Sequence, residues 1–190
     1  MTRLVLASSS PARRELMERL GQPFEVMPSS IDEPTGFKEP RVEVGSVSWL
    51  KAAAVAPKVE RGIVIAADTI GWIDGHALLK PRDADDARRI LRAMGGRTHE
   101  LWTGVVLWRR PDDVQLVWQE RSLVHFKAMD DAGMDEYLAK REWKNNSGAY
   151  AILERGDPHV TVAEGSVTNV IGLPMESLSR RLPELLAMKG

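Results

Sequence analysis

A chain of 190 residues can bury a sizeable core and is short enough to be one domain, 1–190. Its 26 lysines and arginines nearly balance 27 aspartates and glutamates, so no overall positive field exists to gather nucleic acid or an anionic membrane, and any anion site must be local. Cysteine is absent, which removes disulfides, thiol catalysis and thiolate metal sites, and no run reaches the roughly 18 to 20 apolar residues of a membrane span.

The first element is a short apolar run, Leu4 to Ala7, read as a buried strand and too short to be the core of a signal peptide, so the expectation is a cytoplasmic protein. A helix follows. Ser10 sits at its N-cap and Pro11 at its first position, Ala12, Leu16 and Leu20 recur on one face, and Gly21 stops it. Its first turn carries Arg13 and Arg14 where a capping box would place an acid, and two cations there oppose the helix dipole. Two readings stay open: both arginines splay into water, or an anion sits at the helix end, where free amides, serine hydroxyls and guanidinium groups would converge on a phosphate.

A second short strand fits Pro23 to Pro28, and Ser29 to Gly36 is turn chemistry throughout. Its carboxylates Asp32 and Glu33 read either as solvated loop charge or as ligands of a magnesium ion. From Val42 to Val55 a helical pattern turns Val44, Val47, Leu50, Ala54 and Val55 inward, with Lys51 beside them. Gly62 to Ala67 is apolar without alternation, as expected of a strand covered on both faces, and ends on Asp68-Thr69. A carboxylate at the carboxyl end of such a strand stands where open α/β sheets place their ligands, which makes Asp68 the leading catalytic candidate, with a local capping role as its alternative. Ile70 to Leu79 reads as a hairpin around Asp74-Gly75 that returns Lys80-Pro81 toward the start of the chain.

Asp83 to Met94 is a helix that obeys the charge rule the first helix breaks: Asp83 as cap, Asp85 and Asp86 in the first turn, arginines later. Arg97 to Trp108 and Val114 to Phe126 form an expected antiparallel pair, whose His99, Trp102, Trp108, Trp118 and His125 are assigned to core or interface. Beyond a helix at Asp131 to Lys140 and a polar loop at 142–148 come a strand at His159 to Ala163 and the glycine-punctuated stretch Glu164 to Pro174, which suits a tight turn or a second wall of a nucleotide pocket. The tail is an amphipathic helix with Leu178, Leu182, Leu185 and Leu186, interrupted at Pro183.

Several of these segments together resemble the Maf family of nucleoside triphosphate pyrophosphatases, over nearly the whole chain. They are Leu6-Ala-Ser-Ser-Ser-Pro-Ala-Arg-Arg-Glu-Leu16, Ile31-Asp-Glu33, Lys51-Ala52, Ala67-Asp-Thr69, Lys80-Pro81, Gly96-Arg-Thr-His99, Thr103-Gly-Val105, Ser147-Gly-Ala-Tyr150 and Gly165 to Pro174. The resemblance implies an α/β fold, an elongated mixed sheet flanked by helices around a deep nucleotide cleft, similar to inosine triphosphate pyrophosphatase. It implies a homodimer that hydrolyses a nucleoside triphosphate to the monophosphate and pyrophosphate with a divalent metal cation, Mg2+ or Mn2+.

Carried over by position, the similarity makes Asp68 the catalytic acidic residue, either proton acceptor for the attacking water or a ligand of the metal that activates it. Glu33 matches a second metal ligand, Lys51 and Lys80 match lysines facing the triphosphate, and Ser8, Ser10 and Arg13 match the phosphate-cradling turn, with Arg14 and Thr69 as further substrate-binding candidates. The branch acting on dTTP and UTP carries Arg, Thr and Gln where this chain has Ala12, Thr69 and Leu153; the branch acting on 7-methylguanosine triphosphate carries Trp, Gln and Glu. Neither Ala12 nor Leu153 has a side-chain donor for a base, so the expectation is a broad or shifted base preference. The leading role is house-cleaning of non-standard or excess nucleotides. Its alternative is a nucleotide-binding regulator of cell division, an inhibitor of septum formation with little turnover, and stable nucleic-acid binding is disfavoured by the balanced charge.

Overall fold

A computed structural model describes residues 2–140, 143–144, 146–150 and 157–189. It contains a mixed seven-stranded sheet in the order β2-β1-β3-β5-β6-β7, with β4 paired to β3 off that path. β1 (Leu4–Leu6) lies parallel to both β2 (Phe24–Val26) and β3 (Gly62–Ile73), while β5 (Arg97–Arg110), β6 (Gln115–Phe126) and β7 (Val160–Glu164) continue the sheet antiparallel. The α/β fold with helices flanking a mixed sheet is therefore as expected.

β3 is longer than its apolar run suggests. It continues through Asp68-Thr69 to Ile73 because β5 accompanies it along its whole length, from Gly62 opposite Arg110 to Trp72 opposite Glu100. Its other edge is shared. β1 pairs with Ile63 to Ile65, β4 (His76–Leu78) pairs with Gly71 to Ile73, and among the described residues no strand pairs with the stretch between. Asp68 thus lies inside a strand, not at its carboxyl end, but it lies just past the carboxyl end of β1.

Strand alternation sorts the core into two faces. Ile63, Ile65 and Ala67 pack with Leu4, Leu6, Leu16 and Met17 beneath α1 (Pro11–Glu18) and α6 (Met175–Ala187). Val64 and Ala66 pack with Val5, Ala7, Ala52 and Val55 beneath α2 (Pro40–Val55). A further cluster, built on Ile90, Leu91, Met94, Phe126 and Tyr150, fills the end carrying α3 (Ala84–Met94) and α4 (Asp131–Ala139).

The helical phases differ in detail from the expected ones. In α1 Met17 is buried with Leu16, while Ala12 is half-buried. α2 starts at Pro40, and its inward face is Glu43, Val44, Val47, Ser48, Lys51, Ala52 and Val55, which leaves Leu50 on the solvent side. α6 runs through Pro183 without a break. Pro183 and Ser179 are both exposed, so the carbonyl that loses its partner faces water, and buried Leu178, Leu182 and Leu185 hold the helix to the sheet, with Leu186 outside. Glu164 to Pro174 forms the end of β7 and a short helix, α5 (Val167–Ile171), capped by Ser166. No helix among the described residues is long and apolar enough to cross a membrane.

α2 sits on the sheet through a main-chain contact. Gly104 of β5, opposite Asp68, lies directly under the helix: a Cβ there would overlap the Val44 carbonyl and stand 2.9 Å from the Gly45 nitrogen. Gly104→Ala must lift the helix, and overpacking of this kind costs roughly 1–3 kcal/mol, read as a lowered urea midpoint with an unchanged m-value.

His99 and Tyr150 are buried together, His99 Nε2 lying 2.7 Å from the Tyr150 hydroxyl, with His99 Nδ1 unpartnered. Burial first, and the charge of His125 second, push the His99 pKa from 6.5 down to about 4. The unfolded chain therefore binds the extra proton first, so the stability contributed by neutral His99 is complete above pH 6.5 and is lost as pH falls toward 4. His99→Gln should flatten the acid limb of unfolding free energy by about 3 kcal/mol between pH 6.5 and 4, and urea titrations giving the same slope for both proteins would count against it.

Candidate active site

Two groups of polar side chains meet at the unpaired edge of β3, one on each face of the sheet. Asp68 and Thr69 are consecutive strand residues and so point to opposite faces. On the α2 face Lys51 Nζ lies 2.7 Å from Asp68 Oδ1 and 2.9 Å from Glu33 Oε1. The Lys51 side chain is 10% exposed and that of Asp68 13%, whereas Glu33 is 51% exposed, so a largely buried ammonium draws a loop carboxylate down onto a buried one. Glu43, two helical turns before Lys51 and buried on the same side of α2, has its carboxyl pKa raised by burial and then by the charge of Asp68.

On the other face the centre is Arg13. The turn leaving β1 is closed by Ser8, whose Oγ accepts from the Ser10 amide at 3.2 Å, and Ser10 Oγ in turn accepts from the Arg13 amide at 3.3 Å, capping α1 as expected. The Arg13 side chain folds inward. Nε donates to the Gly172 carbonyl at 2.8 Å, Nη2 to Thr69 Oγ1 at 3.0 Å and Nη1 to Ser8 Oγ at 3.4 Å. All three acceptors are neutral. Burial pulls its pKa down, and only the more distant charges of Asp68 and then Glu33 oppose that. A half-buried guanidinium at a helix start, bonded only to neutral acceptors among the described residues, has charge to offer an anion.

The site thus gathers Ser8, Ser10, Arg13 and Thr69 on one face and Lys51, Asp68 and Glu33 on the other. Two expected members are not gathered. Arg14 turns outward and pairs with Glu18 at 3.5 Å, since the helical twist sends residues 13 and 14 in directions about 100° apart and only one can face the sheet. Lys80 is exposed and joins neither group through any described bond, because the hairpin that carries it ends beyond β4 and hands the chain to solvent. Leu153 lies outside the described residues. Sequence reasoning missed Glu43, Thr103 and Gly172. An acid at 43, eight residues before Lys51 and so on its face of a helix otherwise lined by Val44 and Val47, was a readable signal; Thr103 and Gly172 stood only inside matching segments with no role attached, since their bonds to Thr69 and Arg13 reach 34 and 159 residues along the chain.

For a divalent cation the donor set fits in kind. Glu33 and Asp68 direct oxygens to one point now held by an ammonium, and oxygen ligands from one or two carboxylates suit an ion that keeps several waters. Among the described residues no group of three or more acids or histidines is arranged to hold a metal.

A family model described as Maf-like protein matches residues 3–185. Among curated relatives, a dTTP/UTP pyrophosphatase of Ruminiclostridium cellulolyticum is 36% identical over 187 residues, covering 97% of each chain. Another dTTP/UTP pyrophosphatase, from an Anaeromyxobacter species, is 44% identical over 184 residues, covering 95% of this chain and 88% of its own. Among solved structures, a nucleoside-triphosphatase / dITP/XTP pyrophosphatase from Mycobacterium abscessus superposes with a TM-score of 0.48 at 16% identity, over 98% of this chain and all of that one.

Gly172 has a φ of +121°, and a Cβ on it would stand 3.3 Å from Thr69 Oγ1 and 3.4 Å from Arg13 Nε. Gly172→Ala should therefore strain the backbone and displace the guanidinium. The expected outcome is at least a several-fold weaker affinity for inorganic tripolyphosphate by calorimetry.

Proposed function

Because the chain belongs to the Maf-like family, we propose that it hydrolyses a nucleoside triphosphate to the monophosphate and pyrophosphate, as a house-cleaning enzyme of the cytoplasmic nucleotide pool. The observation that carries this reading is the pairing of a half-buried Arg13, bonded to neutral acceptors, with the Lys51–Asp68–Glu33 cluster across one strand. The anion site would hold the phosphate chain and the carboxylate cluster would lie at the phosphorus under attack.

Water attacks the α-phosphorus, the bond to the α–β bridging oxygen breaks, and pyrophosphate leaves with that oxygen. Asp68 takes the proton of the attacking water, or orients that water. Lys51 donates toward Asp68 and offsets the charge accumulating on the phosphate oxygens, and Arg13 with the Ser8 and Ser10 turn binds the departing phosphates. Glu33 and Asp68 would hold a magnesium or manganese ion, which supplies charge neutralisation and a more acidic bound water. Lys51 would then shift off one of the two carboxylates.

Curated relatives act on dTTP and UTP. In this chain Thr69 agrees with the pyrimidine branch, but Ala12 and Leu153 offer no side-chain donor to a base, which supports a broader or shifted base preference. The homodimer belongs to the same proposal, and sedimentation at micromolar concentration showing only monomer would remove it.

The test is pyrophosphate release from a panel of standard and modified nucleoside triphosphates with magnesium or manganese. Wild type should turn over several members, with dTTP and UTP not sharply preferred, and Asp68→Asn should lose about 100-fold or more of that activity. Nucleotides bound but never hydrolysed would favour the regulator of cell division in its place.

A further inference from the structure

The proton on each hydroxyl next to Arg13 has a determined direction. Thr103 Oγ1 lies 2.9 Å from the Asn169 carbonyl oxygen, which can only accept, so Thr103 donates its single proton there. Thr103 is fully buried, and its oxygen also lies 3.0 Å from Thr69 Oγ1. With its proton already used, Thr103 must accept, and Thr69 must donate to it. Thr69 therefore has no proton left and presents a lone pair to Arg13 Nη2 at 3.0 Å. Thr69 and Thr103 are direct cross-strand partners on β3 and β5, so the spacing is fixed by the sheet.

We propose that Thr103 is a positioning residue for the anion site: by committing the Thr69 proton inward it keeps an acceptor on Arg13 and holds the guanidinium plane in place. The proposal rests on the reading of Arg13 as a phosphate-binding residue. Thr69 then acts as a link between Arg13 and the buried carbonyl, with no proton to give a base. Removing the Thr103 oxygen leaves the Thr69 proton without its acceptor, so the hydroxyl can rotate and its lone pair is no longer held on Nη2. The Asn169 carbonyl is not orphaned by this change, because the Gly172 amide also donates to it at 3.1 Å.

The experiment is calorimetric binding of inorganic tripolyphosphate, with KM and kcat for dTTP or the best substrate of the panel, in wild type, Thr103→Val, Thr103→Ser, Thr69→Val and the Thr69→Val/Thr103→Val double variant. Thr103→Val keeps the shape and should weaken tripolyphosphate about tenfold, the scale of a hydrogen bond to a charged group, and raise KM far more than it lowers kcat. Thr103→Ser keeps the hydroxyl and should bind within about threefold of wild type, and the double variant should be no worse than Thr69→Val alone. Wild-type affinity in Thr103→Val, a Thr103→Ser variant as weak as Thr103→Val, additive losses in the double variant, or no tripolyphosphate binding by wild type would each overturn the proposal. If tripolyphosphate binds with the expected hydroxyl dependence but no nucleotide is hydrolysed, the relay stands and the pyrophosphatase reading fails. If nucleotides are hydrolysed equally well by Thr103→Val, the reverse holds.

Discussion

Much of this structure answers to one constraint, a half-buried guanidinium whose bonded acceptors are all neutral oxygens. Partial desolvation of such a cation is unfavourable, and Arg13 offsets it with three neutral oxygens supplied by the turn after β1, the middle of β3 and the residue after α5, helped by the more distant charges of Asp68 and Glu33. Those elements lie far apart in the chain: Arg13 is 56 residues from Thr69 and 159 from Gly172. The N-terminal turn, the long central strand and the C-terminal glycine segment have to be complete before the arginine is satisfied. Even then its bonded acceptors are neutral, and its surplus charge faces the Asp68 and Glu33 carboxylates only at a distance.

The sheet keeps that surplus from being wasted. Arg13 and Asp68 would neutralise each other if they shared a face, but strand alternation sends Asp68 toward α2 and Thr69 toward Arg13. Lysine and carboxylates assemble on one side, the arginine on the other. The two sides come together where β1 has ended and β4 has not begun, because there, among the described residues, the edge of β3 carries no strand. A missing stretch of pairing thus makes the site, and the lengths of two three-residue strands, β1 and β4, set its extent.

Much of this was readable in the residues themselves. Ser10 and Pro11 announce α1, Asp83 caps α3 as expected, and the Asp74-Gly75 turn and the β5–β6 pair follow from local turn chemistry and β-propensity. The two arginines of the first turn stood out against the helix dipole, but periodicity could not say which of them turns inward, since that depends on Gly172 at the far end of the chain. The strand through Asp68-Thr69 was hidden for a similar reason: a polar pair looks like a strand end unless the partner strand is known to continue. Leu50 and Pro183 were misjudged because helix phase and helix continuity are settled by packing, which gives α2 a buried glutamate and serine in place of a leucine and lets α6 keep a proline on its wet side. Hydroxyl direction at Thr69 and Thr103 is a property of a network, and no window of sequence contains it.

The contact between Gly104 and the Val44 carbonyl bears on how the chain can diverge. The height of α2 above the sheet is fixed where main chain meets main chain, not by the bulk of the side chains around it. Val44, Val47, Ala52 and Val55 can therefore exchange volume with their neighbours over generations while Lys51 stays at the same distance from Asp68. Drift in that interface is cheap as long as one position stays without a side chain. A lineage can lose most of its identity around this lysine and keep its geometry.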